Sequence, residues 1–174
     1  MTKQELITAF IENHQQAVQY INRLEDRSFN YRYLDKWTAG QQLEHLLLTI
    51  IPFTKALSSK TFIMEKFGTI GRTVWDYETV LVNYSKSSLK APDQFLPKED
   101  FQSYHKGIIT SEIMKHLDTI GGLLNTYSEE ELDTLVLPHP LLGRLTIREM
   151  FYLMSYHPLH HQRQIENILE LNFR

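Results

Sequence analysis

The sequence predicts an all-α protein: an antiparallel four-helix bundle filling 1–174 as a single domain, with a long connection between the second and third helices. Three observations carry that reading. Capping boxes stand at 2–5, 38–41 and 146–149, where a Thr hydroxyl accepts from a free backbone N–H three residues on and the Glu or Gln there returns the bond. Four segments carry apolar residues at helical spacing, and none shows the period-2 alternation of a half-buried strand. Seven Gly and six Pro among 174 residues fall below the usual combined share of about 12%, which favours long uninterrupted elements.

The first helix starts at the Thr2 box and carries Leu6, Phe10, Ala17, Val18, Ile21 and Leu24 on one stripe, ending near Asp26. The aromatic stretch 29–37 lacks a helical period and crosses to the next helix. That second helix opens at Thr38 and continues through Leu43, Leu46, Leu47, Ile50, Phe53 and Leu57, with Pro52 expected to remove one backbone bond and kink it. From 58 to 97 the signals weaken into an excursion holding at most a short helix around 75–84. A third helix is expected after Pro97, with Glu99 and Asp100 at its positive end and Phe101, Ile108, Ile113, Leu117, Ile120, Leu124 and Tyr127 along it. Gly121 and Gly122 inside it mark fraying or close packing. After a connector with Pro138, Pro140 and Gly143, the Thr146 box opens a fourth helix running to about Glu170.

Composition removes several functions. With 18 basic and 21 acidic residues the net charge of −3 creates no global field for nucleic acid or an anionic membrane. The Lys and Arg residues are scattered without interleaved aromatics, so no nucleic-acid groove is expected. The absence of Cys excludes disulfides, zinc–thiolate knuckles and a cysteine nucleophile of the chain's own. The start has no signal-peptide apolar core, and the longest apolar stretch, 46–53, is far short of the roughly 18 residues of a membrane span, which points to a soluble cytoplasmic protein.

The histidines carry the chemistry. Among eight of them, one pair four residues apart can arise by chance, but His157 and His161 continue the line of Ile147, Met150 and Met154 toward Ile165. One helix face would then aim two imidazoles at the bundle interior. A divalent ion would satisfy both; two hydrogen-bonded histidines are the alternative. Pro158 occupies the place where a His-Glu-x-x-His zinc protease needs its Glu, so that reading is rejected. A third ligand must come from another helix: His45, at the flank of the second stripe, is the leading candidate, and His14, well on the first stripe, is its rival.

Three segments together resemble the DinB/YfiT-like superfamily of metal-binding four-helix bundles: WTAGQQLEHL at 37–46, HPLLGRLTIREM at 139–150 and HPLHHQRQI at 157–165. In such proteins one His on the second helix and a His-x-x-x-His pair on the last bind one divalent ion, which implies His45, His157 and His161 here. Pro158 departs from the acidic residue often found at its position. The resemblance also implies a homodimer. His160, about 100° from His161 around the helix, is expected to face solvent or a dimer partner. Gln164 is placed to orient water or substrate or simply to form a polar face, Trp37 to anchor the second helix in the core, and Tyr31 and Tyr33 to line a pocket or cover the bundle end.

These expectations point to a metal-dependent enzyme acting on a small molecule, either a hydrolase or a transferase using a low-molecular-weight thiol that must arrive from outside. Nickel, zinc, manganese and iron all suit imidazole. The alternative is a noncatalytic metal-binding or stress-response protein in which the ion stabilises the bundle or senses a ligand.

Overall fold

The computed structural model describes residues 1–86, 91–98 and 102–172. Four long helices form the body: α1 (Lys3–Arg23), α3 (Ala39–Leu57), α6 (Lys106–Asn125) and α8 (Ile147–Asn172). Between them lie the short helices α2 (Asp26–Phe29), α4 (Lys60–Phe67), α5 (Tyr77–Lys86) and α7 (Glu129–Thr134), with 3-10 turns at Asp93–Phe95 and Ser103–His105. All three capping boxes form; at the third, Thr146 N–H donates to Glu149 at 2.7 Å and Glu149 N–H donates to the Thr146 hydroxyl at 3.1 Å. Pro52 and Pro158 sit inside continuous helices, each removing one backbone bond without ending its helix.

Hydrogen bonds fix the helix directions. Lys3 donates to the Tyr127 carbonyl and Lys106 to the Leu24 carbonyl, both at 2.8 Å, so α1 and α6 are antiparallel. The Tyr127 hydroxyl donates to the Leu57 carbonyl at 2.8 Å, bringing the C-terminal ends of α3 and α6 together, so these two run parallel. Arg148 donates to the Met1 carbonyl at 2.6 Å, and Gln16 to Gln162 at 3.4 Å, so α1 and α8 are parallel as well. Consecutive helices in a parallel pair need a connection as long as the helix itself, which is the physical role of the excursion between α3 and α6.

That excursion is secured to the start of α8. Glu149 is fully buried and accepts two bonds from Arg72, at 2.6 and 2.9 Å, and one from the Trp75 N–H at 2.5 Å. α5 then packs along α8. The α3 and α8 backbones approach each other less closely than those of the parallel pairs. Rings fill the space between them, with Phe53 and Phe151 centred 5.0 Å apart.

Six features differ from the sequence expectations, two of them being α4 (Lys60–Phe67) and α7 (Glu129–Thr134), helices inside the expected excursion and connector. A one-turn helix, α2, opens the crossing segment. The helix expected after Pro97 begins at Lys106, behind a 3-10 turn; Glu99, Asp100 and Phe101 lie outside the described residues. The connector before α8 folds into an antiparallel hairpin of β1 (Val136–His139) and β2 (Gly143–Thr146), with Gly143 at φ +74°. That conformation is easy only for glycine, and the strand signal was too short to show as a period. The short helix lies at Tyr77–Lys86, slightly later than the pattern suggests. Among the described residues no single helix is long and apolar enough to cross a membrane.

Gly121 and Gly122 have different reasons to exist. A Cβ on Gly121 would stand 3.3 Å from Ile11 Cδ1, so α6 approaches α1 there; Gly122 is exposed with nothing within 4 Å. Gly122→Ala should therefore stabilise the protein by about 0.5–1 kcal/mol through helix propensity, whereas Gly121→Leu should destabilise it by about 1–3 kcal/mol through overpacking. Urea denaturation of the two variants checks the opposite signs.

Candidate metal centre

His45 sits two turns into α3, and His157 and His161 stand one turn apart on α8. The structure brings these three together: His157 Nε2 lies 3.2 Å from His45 Nε2 and 3.0 Å from His161 Nε2, and all three rings are buried. Among the described residues they form the one group of His, Asp or Glu side chains able to hold a metal ion, and it contains no carboxylate.

The outward nitrogens decide what the inward ones present. His45 Nδ1 donates to the Phe95 carbonyl at 2.7 Å, so its Nε2 carries a lone pair. His161 Nδ1 donates to Gln42 Oε1 at 2.9 Å, and the Gln42 amide is held in that orientation by its own donation to the Trp37 carbonyl at 3.4 Å. His161 Nε2 therefore also carries a lone pair. His157 Nδ1 is buried without a partner. With its proton on Nε2, His157 could serve only one neighbour and would leave Nδ1 as an unpaired acceptor. With its proton on Nδ1, three lone pairs converge. Both arrangements leave buried polar atoms unsatisfied, and a cation at the meeting point relieves the inward three. Two nitrogens about 2.05 Å from one ion stand about 2.9 Å apart at a right angle and about 3.4 Å apart in a tetrahedron. The separations of 3.0 and 3.2 Å fall inside that interval. With all three ligand atoms within 4.8 Å of one another, the group could hold a divalent ion.

Electrostatics oppose filling the site with protons. Burial, followed by the charges of His161 and His45, pushes His157 well below the usual histidine range, and burial with the charge of His45 does the same to His161. His45 is lowered by burial despite its bond to Phe95.

The other histidines and polar candidates fall elsewhere. His14 is fully buried on α1, its Nδ1 2.7 Å from the Phe10 carbonyl, and it does not belong to the triad. His160 is half-buried on the outer side of α8 near Tyr84 and Tyr156, and exposed Gln164 lies 2.7 Å from its Nε2 rather than reaching the triad. Trp37 is half-buried and packs its ring 4.9 Å from that of His45, so it walls the site as well as flanking α3. Tyr31 and Tyr33 are half-buried and, among the described residues, make no ring contact with the triad.

Two supports were not recognised from the sequence. Gln42 lies one turn before His45, and its place on an otherwise apolar face was a usable signal. The Phe95 carbonyl had none, because a backbone acceptor 50 residues away leaves no pattern. Its segment is laced to α3 by Glu44, which accepts from Lys98 N–H at 2.7 Å, and by Gln41, which donates to the Lys98 carbonyl at 3.0 Å.

The family model of the DinB superfamily matches residues 9–165. The chain belongs to the DinB superfamily. No curated protein and no solved structure shows a significant match to it. Within this DinB member, the matched span contains α3, the long crossover and the two α8 histidines, so all of the triad lies inside it.

Burial of neutral histidines sets a pH dependence for the metal-free protein. Desolvation holds His14 down at about 4, so below about 6.5 the unfolded chain binds a proton that the folded one refuses. Stability should be full above pH 6.5 and fall toward pH 4, His14 alone contributing on the order of 3 kcal/mol to the loss for a shift from 6.5 to about 4. Thermal unfolding of metal-free protein between pH 7.5 and 4.5 measures it; a midpoint independent of pH contradicts the neutral burial.

Proposed function

We propose that this DinB-superfamily protein is a metal-dependent enzyme holding one divalent ion on His45, His157 and His161 and acting on a small molecule, as a hydrolase or as a thiol-dependent transferase. The observation that supports it is the convergence of three Nε2 atoms without a carboxylate. Three neutral protein ligands leave the ionic charge uncompensated and coordination positions open, the pattern of catalytic rather than closed structural sites. Bound there, such an ion supplies Lewis-acid chemistry, polarising a substrate oxygen or lowering the pKa of water or a thiol. The chain's own part is to orient and enclose. Phe95 and Gln42 fix the His45 and His161 rings through their Nδ1 protons, and Trp37 covers one side with an aromatic face. The chain has no Cys, so in the transferase version the thiol comes from a low-molecular-weight cosubstrate. The donor set suits nickel, zinc, manganese and iron alike.

Exposure of only 4–7% at the three rings favours a second reading, a noncatalytic protein whose ion stabilises the bundle or senses a ligand. Metal analysis of untagged protein followed by paired hydrolase and thiol-transfer assays separates the two. His157→Ala or His161→Ala should abolish metal loading and activity together while leaving a folded bundle, because the apolar stripes stabilise it independently of the ion. A variant that loses the metal and keeps full activity overturns the catalytic reading; one that loses the metal and unfolds favours the structural alternative.

The family resemblance supports a homodimer formed through helix faces away from the triad. Light scattering over a dilution series should return twice the chain mass of 20.6 kDa, and a monomer at high concentration removes the dimer without touching the site.

A further inference from the structure

Beyond the triad, two buried ring nitrogens have no hydrogen-bond partner among the described residues: His157 Nδ1 and His14 Nε2. Their chemistry is complementary. His14 Nδ1 stands 2.7 Å from the Phe10 carbonyl, which only accepts, so the proton is on Nδ1 and Nε2 presents a lone pair. A His157 that gives its Nε2 lone pair to an ion must carry its single proton on Nδ1, pointing away from the triad. A buried donor and a buried acceptor are thus left over on α8 and α1, which pack against each other more extensively than any other pair of elements. Asn13 donates to the Ser155 carbonyl at 2.9 Å and pins the two helices together at this level.

We propose that His14 is the positioning residue of His157, its Nε2 accepting the Nδ1 proton of metal-bound His157 through one enclosed water. The inference rests on the metal reading above and extends it. It gives each triad imidazole an outward acceptor: a backbone carbonyl for His45, an amide oxygen for His161 and an imidazole lone pair for His157. Such acceptors fix ring orientation and raise the basicity of the ligating nitrogen. A histidine that merely fills the core would have no such effect on metal affinity.

The test titrates metal-free protein with Co²⁺ against a competing chelator, following the visible absorption of the bound ion. His14→Phe keeps a ring and removes the acceptor; His14→Gln keeps an acceptor oxygen at similar reach. The Phe variant should bind Co²⁺ 10–100-fold more weakly than wild type, and the Gln variant within about threefold of it. In zinc-loaded wild-type protein, proton–nitrogen NMR should show an exchange-protected Nδ1 proton on His157 that the Phe variant loses. Wild-type affinity in the Phe variant, or a Gln variant as weak as the Phe variant, overturns the role of His14. If the Phe variant does not fold, the wild-type spectrum decides: no protected Nδ1 proton overturns the proposal. A wild-type protein that binds no Co²⁺ overturns the metal reading itself, a different and distinguishable failure.

Discussion

Three imidazole rings buried with their Nε2 atoms 3.0–3.2 Å from the central one impose the strongest constraint in this protein. Lone pairs aimed at one point repel in a medium that screens poorly, and burial resists the proton that could relieve them. Such an arrangement needs its rings held from outside, and a cation at the point they share could relieve the repulsion. Much of the architecture around the site does the holding. Gln42 is turned by the Trp37 carbonyl to face His161, and the 95–98 segment is tied to α3 by Gln41 and Glu44 so that the Phe95 carbonyl meets His45.

The helix order serves the same end. Because α3 and α6 run parallel, the chain must travel the length of the bundle between them. On that return it lays α5 against α8 and the Asp93–Phe95 turn against α3, the two helices that carry the triad. Glu149 joins this path to the α8 cap: one carboxylate accepts from Thr146, Arg72 and Trp75. Its full burial is tolerable because every approach is a hydrogen-bond donor and Arg72 supplies the opposite charge. The residue that starts the helix bearing His157 and His161 therefore also anchors the crossover that supplies the acceptor for His45.

Between α3 and α8, large side chains replace close backbone approach. In the Phe10, Phe53 and Phe151 cluster, Phe10 meets the other two rings edge to face and Phe53 and Phe151 are tilted, with centroids 5.0–6.0 Å apart. Gly121 does the opposite between α1 and α6, where the lack of a Cβ lets the helices close. The bundle is thus tight on one side and propped open by rings on the other, and the propped side is where the imidazoles meet.

Much of this was legible in the sequence, because helix starts and apolar stripes are local. The Thr2, Thr38 and Thr146 boxes lie within three residues of their partners, and residues such as Leu43, Leu46 and Ile50 declare their face by spacing alone. The pairing of His157 with His161 is equally local, one turn of one helix, and the motif resemblance added His45. The hairpin at 136–146 was too short to leave a period. Which rings meet which acceptors was decided only in three dimensions. Gln42 and His161 are 119 residues apart, and Phe95 contributes a carbonyl that every residue possesses. His14 and His45 both looked like possible third ligands, and side-chain type could not separate them. What separated them is that α3 carries His45 onto the triad while α1 leaves His14 outside it, a consequence of helix packing that no stretch of chain encodes by itself.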